Sequence, residues 1–261
     1  LGSIHRYIVQ PISYVEISDN VSPENSVKAT CGNNSTSTTP TTPANSIVTS
    51  MEKIEVNRLN CWLYTPKNAS KNMPLIVYLH GITGKGDDLD KLPTSEGFAQ
   101  WLADGTLEDV PAYVLIPQLP SDKKNWQVIK EDVASAIQET AKKYQIDSGN
   151  VNLTGFSMGG AGVWSIAVSY PELFHSIAPC SGGLRVTKTT LSALRNMKIW
   201  TFVGTADAVV KPQPTIEFMK QLTHSNTKAA ITEFDGAEHT DVPALVYLSE
   251  EIDLIHWLIG E

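Results

Sequence analysis

From residue 51 onward, short runs of apolar residues alternate with stretches whose apolar positions recur at helical spacing. Residues 51–56 and 59–64 read as a hairpin, and 75–79 and 112–116 are continuous apolar runs of strand length. Ile129, Val133, Ile137, Ala141 and Tyr144 then fall on one helical face before a further strand, 151–156. The next helix spans 159–170, with Val163, Ile166, Ala167 and Tyr170 on one face and Pro171 ending it. An apolar strand closing on Cys180, strands at 197–204 and 229–234, and a final helix over 243–259 complete the series. That last helix presents Leu245, Leu248, Ile252, Ile255 and Ile259 on one face. Such alternation implies an α/β fold, a mostly parallel sheet covered by helices on both faces.

Residues 20–49 break the pattern. They are rich in Asn, Ser, Thr and Pro, with Thr-Pro-Thr-Thr-Pro at 39–43, and read as a linker that cannot bury a core. Before it, residues 4–17 alternate well enough to be a strand, either pairing with the main sheet or ending an upstream module. The boundary therefore separates an extension and linker, 1–50, from an α/β domain, 51–261.

With 261 residues, 41% of them hydrophobic, one large core is expected. A net charge of −8 argues against nucleic acid or an anionic membrane as partner. No apolar stretch reaches membrane-span length and no signal peptide opens the chain, so it reads as soluble. Cys31 and Cys61 have the option of pairing in an oxidising compartment, whereas Cys180 reads as a packed small hydrophobe.

Chemistry enters at Gly155-Phe156-Ser157-Met158-Gly159, a Gly-x-Ser-x-Gly nucleophile elbow between a strand and a helix. The sharp turn exposes the serine hydroxyl and leaves room only for glycine two residues to either side. A serine needs a base, and the base needs an orienting acid. Asp207 follows the strand 197–204, and His239 follows the strand 229–234 on a loop at the same end of the sheet. The order Ser157, Asp207, His239, with gaps of 50 and 32 residues, is that of an α/β-hydrolase triad.

Glu238 and Asp241 are too close to His239 in sequence to orient its ring. His5 lies in the extension, His175 and His224 follow helices, and His256 rides the apolar face of the last helix. The oxyanion of an attacked carbonyl needs preorganised donors. The N–H of Met158 is one, and the turn His80-Gly81-Ile82, after the strand 75–79, offers the N–H of Ile82 as the other.

Pro117-Gln118, Trp126, the run Ser157-Met158-Gly159-Gly160-Ala161-Gly162-Val163-Trp164, Asp207 with Val209 and Val210, and Gly236 to His239 resemble the peptidase-like and feruloyl-esterase-like branch of the α/β-hydrolases, near the polyhydroxybutyrate depolymerases. The resemblance spans about residues 51–261 and departs from the family pattern by one extra residue between the acid and Pro212. It implies a serine carboxylesterase, often secreted or held at the cell surface, acting on short acyl or aryl esters of plant polysaccharide without a cofactor or metal. Trp126 either walls the substrate pocket or packs in the core. Gln118 and His80 are the other candidate substrate contacts.

Residues 181–191 are the main loop from which a lid would be built, and they are short, which implies an open cleft. A serine peptidase of the same fold would share every catalytic residue, and a binding module retaining a dead hydrolase fold is the non-enzyme alternative. Asp87-Asp88-Leu89-Asp90 reads as a solvated loop, and Gly81 to Gly86 lacks the spacing of a nucleotide-binding loop.

Overall fold

The computed structural model describes residues 50–95 and 97–261. The expected strand 4–17, the linker and Cys31 lie outside the described residues. Eight strands form one sheet: β1 Met51–Val56, β2 Leu59–Tyr64, β3 Leu75–Leu79, β4 Tyr113–Pro117, β5 Val151–Phe156, β6 Ser176–Cys180, β7 Lys198–Gly204 and β8 Ala229–Phe234. Their spatial order is β1-β2-β4-β3-β5-β6-β7-β8. The hairpin β1–β2 turns through Asn57 and Arg58, both at positive φ, the backbone a two-residue turn needs to match strand twist. β2 pairs antiparallel with β4, and from β4 to β8 every pairing is parallel.

Helices α1 Leu92–Ser95, α2 Gly97–Asp104, α3 Lys130–Tyr144, α4 Met158–Ser169, α5 Lys188–Leu194, α6 Gln213–Thr223, α7 Val242–Tyr247 and α8 Leu254–Ile259 supply the crossovers. Val133 and Ile137 of α3, Val163 and Ile166 of α4, Leu194 of α5 and Phe218 of α6 join the core on one face of the sheet. Phe98 of α2, Val246 of α7 and Leu258 of α8 join the core on the other. The middle strands β3, β4 and β6 are buried along their whole length, as parallel strands between two helical layers must be.

The closing helix expected over 243–259 is two helices. Asp253 takes a left-handed backbone (φ 42°), and the polar run from Ser249 to Asp253 turns the chain so that α7 packs on β7 and α8 on β6. Leu245 and Leu248 are consequently exposed, and His256 faces solvent, its Nδ1 2.7 Å from Asp253 Oδ1 rather than on an apolar face. The loop after β6 is also shorter than expected. Thr187 starts α5 with a capping box shared with Thr190, leaving only residues 181–187 irregular. Among the described residues no helix is long and apolar enough to cross a membrane.

Candidate active site

β5 delivers the serine. Ser157 sits at φ 57°, ψ −116° between the end of β5 and the start of α4, a conformation costly for any residue with a Cβ. Its neighbours explain the glycines. A Cβ on Gly159 would lie 1.8 Å from the Leu79 carbonyl oxygen, and one on Gly155 would lie 2.6 Å from the same atom, so the turn backs directly onto the end of β3. The Ser157 N–H donates to the Cys180 carbonyl at 2.9 Å, pinning the turn to β6 as well.

β7 and β8 deliver the other two groups. Ser157 Oγ lies 2.8 Å from His239 Nε2, and His239 Nδ1 lies 2.7 Å from Asp207 Oδ2. The second oxygen of Asp207 accepts the N–H groups of Val209 (2.9 Å) and Val210 (2.7 Å), so the chain following the acid holds the carboxylate in place. The Asp207 side chain is 1% exposed and that of His239 11%, which places their hydrogen bond where water competes little. The ring of Phe156 lies 4.7 Å from that of His239 and supports it from the elbow side. Val209, Val210 and Phe156 belong to the sequence motifs, but nothing in the sequence assigns them these contacts. Asp241 Oδ2 accepts the Glu238 N–H at 2.8 Å, shaping the histidine loop rather than touching the ring.

The pairing of Leu79 with Gly155 sets the ends of β3 and β5 side by side, so the turn bearing Ile82 faces the elbow. Ile82 and Met158 each open a helical segment, a 3-10 turn and α4, so their N–H groups have no acceptor within those segments.

The three expected substrate contacts are placed differently. Trp126 is fully buried. Its indole N–H donates to the His80 carbonyl at 3.0 Å, and its Cβ sits where a Cβ on Gly162 would be 2.7 Å away. It packs as a core aromatic with no exposed surface of its own, beneath the groove that runs along α4. Gln118 is also buried, its amide nitrogen donating to the carbonyls of Gly84 and Asp88 at 3.0 Å each, which ties down the loop after β3. His80 is sealed in behind the same loop.

The two bonds of His80 fix its state. Leu119 N–H donates to Nε2 at 3.0 Å, and a backbone amide can only donate, so Nε2 carries a lone pair and Nδ1 carries the hydrogen given to the Gly81 carbonyl at 2.6 Å. That carbonyl and the Ile82 N–H belong to one planar peptide and point in opposite directions, so holding one aims the other.

Burial pushes the His80 pKa from 6.5 down to about 4, against a smaller opposing effect of the Gly81 bond. Between those values the unfolded chain binds a proton that the folded chain refuses. Lowering the pH through this window therefore removes up to about 1.4 kcal/mol of stability per pH unit, and below it the loss levels off. Urea unfolding at pH 7 and pH 4.5 should show a smaller drop in His80→Gln than in the wild type. An equal drop in both would mean that the imidazole is not held neutral.

A family model, the dienelactone hydrolase family, matches residues 59–242, more than half of the chain. The chain belongs to the dienelactone hydrolase family. This family member is 29% identical over 164 residues to a bifunctional acetylxylan esterase/xylanase of Neocallimastix patriciarum, an alignment covering 60% of this chain and 23% of that protein. It is 27% identical over 140 residues to feruloyl esterase B of Thermothelomyces thermophilus, covering 48% and 44% respectively. The chain thus spans less than half the length of either relative. Among solved structures, a thermostable esterase superposes with a TM-score of 0.68 at 24% identity, covering 82% of this chain and 64% of that one, a likeness of fold.

Proposed function

We propose that this protein is a serine carboxylesterase that cleaves short acyl or hydroxycinnamoyl esters, of the kind attached to plant polysaccharides, through an acyl-enzyme. The observation behind this reading is the unbroken hydrogen-bonded series from Ser157 Oγ through the His239 ring to Asp207, 2.8 and 2.7 Å, at the carboxyl ends of three parallel strands. Ser157 Oγ attacks the ester carbonyl as its proton passes to His239 Nε2. The oxyanion is met by the N–H groups of Ile82 and Met158. The C–O bond then breaks, with the proton returned to the leaving alcohol, and water repeats the sequence to release the acid. No step calls on a cofactor, and esters linked to a polysaccharide go with an extracellular setting.

The mouth of the site indicates what the acyl pocket accepts. Ile82, 61% exposed, follows β3, and Val209, 72% exposed, follows the acid, so both ends of the site carry bare apolar side chains. With only residues 181–187 irregular after β6, no long segment among the described residues overlies the cleft. Each methylene contributes about 0.8 kcal/mol only when it is buried, and a shallow cleft stops burying a chain after a few carbons. Across p-nitrophenyl esters from acetate to palmitate, kcat/KM should peak between acetyl and butyryl, and methyl ferulate should also be turned over. A maximum at decanoate or beyond would require a deep acyl tunnel. Comparable hydrolysis of a peptide p-nitroanilide would make the protein a peptidase, and failure to react with a fluorophosphonate would make it a binding module.

A further inference from the structure

A second concavity, about 380 Å³ in volume, runs along the outer face of α4, from Met158 beside the nucleophile to Ser169 at the end of the helix. At the helical rise the distance is about 16 Å, several times the width of an acetyl group. One wall is formed by Asn125 and Lys130 at the start of α3, the other by Arg185 in the loop after β6, with Trp164 in the floor. Two polar atoms among these residues are buried without a hydrogen-bond partner: Asn125 Oδ1, an acceptor, and the Trp164 indole N–H, a donor whose side chain is 1% exposed. Such orphans cost about 1–3 kcal/mol each unless something in the groove satisfies them, and a sugar hydroxyl both donates and accepts.

Charge narrows the ligand further. On a chain of net charge −8, the groove is lined by Lys130 and Arg185 and by no Asp or Glu among the described residues. Lys130 Nζ is hydrogen-bonded to Ser169 Oγ at 3.1 Å and forms a long ion pair, 3.8 Å, with the solvent-exposed Glu131. Arg185 has no ion-pair partner among the described residues.

We propose that this groove is the subsite for the alcohol side of the ester, a polysaccharide chain bearing uronic acid groups, whose carboxylates meet Lys130 and Arg185 while its hydroxyls satisfy Asn125 and Trp164. The proposal rests on the esterase reading. The Ser157 end of the groove then holds the acylated sugar, and the rest holds its neighbours along the chain.

The test is steady-state deacetylation of two acetylated xylans, one rich in glucuronic acid side groups and one without them, by the wild type and by Lys130→Gln/Arg185→Gln. The wild type should show a KM for the acidic polymer roughly three- to tenfold lower than for the neutral one, the scale of two exposed ion pairs. The gap should close in 0.5 M NaCl, where the Debye length falls to about 4 Å, and in the double variant. Equal KM values for the two polymers in the wild type, or a gap that survives in the variant, would overturn the subsite. Wild-type turnover of p-nitrophenyl acetate separates the two readings: if the small ester is not cleaved, the esterase assignment itself has failed.

Discussion

Replacing Ser157 with alanine should lower kcat on p-nitrophenyl acetate by on the order of 10⁴-fold or more, because members of a triad act as a unit and losing the nucleophile leaves only binding and the oxyanion donors. The fold should survive the change. Alanine also carries a Cβ, so the backbone conformation at φ 57° is no costlier than with serine, and the backbone bond from residue 157 to the Cys180 carbonyl is kept. The substitution removes a single hydrogen bond, 2.8 Å long, to His239 Nε2. Stability should therefore change by no more than about 1 kcal/mol, read from urea midpoints at constant slope. Labelling by a fluorophosphonate should vanish in the same variant. Near-normal esterase activity in a folded Ser157→Ala protein would remove Ser157 from the reaction.

What the sequence shows about this site follows the strength of the steric constraint. The elbow is legible because Gly155 and Gly159 face the Leu79 carbonyl at distances no side chain tolerates, so the motif is written by geometry. Asp207 and His239 are legible because strand ends place chemistry, and β7 and β8 are strong apolar or β-branched runs. Trp126 is different. Its position on a loop after β4 locates the residue at the right end of the sheet, but which way an indole faces depends on partners remote in sequence, here the His80 carbonyl and the bare Cα of Gly162. The final helix fails for a related reason. Apolar spacing from Leu245 to Ile259 fits one cylinder, yet periodicity carries no record of the break after Tyr247 or of the left-handed Asp253 from which the second helix starts. The same holds for Ser181, buried after β6 at φ 42° with an unpartnered hydroxyl, for which no local signal exists.

Asp207→Asn should cost about 10⁴-fold in kcat, nearly as much as losing the serine, although it changes one atom. The carboxylate has two jobs. Oδ1 accepts two backbone N–H groups, from Val209 and Val210, while Oδ2 accepts from His239 Nδ1. An amide has only one accepting atom. If its oxygen stays with the two valine donors, its NH₂ points at His239 Nδ1. The ring must then switch tautomer, put its hydrogen on Nε2, and lose the lone pair that receives the Ser157 proton. If the amide turns round, its NH₂ meets two N–H groups that can only donate, in a site with almost no water. The first arrangement is the less costly, so the variant should fold with the wrong tautomer, visible as exchanged ¹⁵N shifts of the two ring nitrogens. Asp241→Asn and Glu238→Gln leave Nδ1 its acceptor and should reduce the rate far less. A larger loss in Asp241→Asn than in Asp207→Asn would move the orienting acid onto the histidine loop.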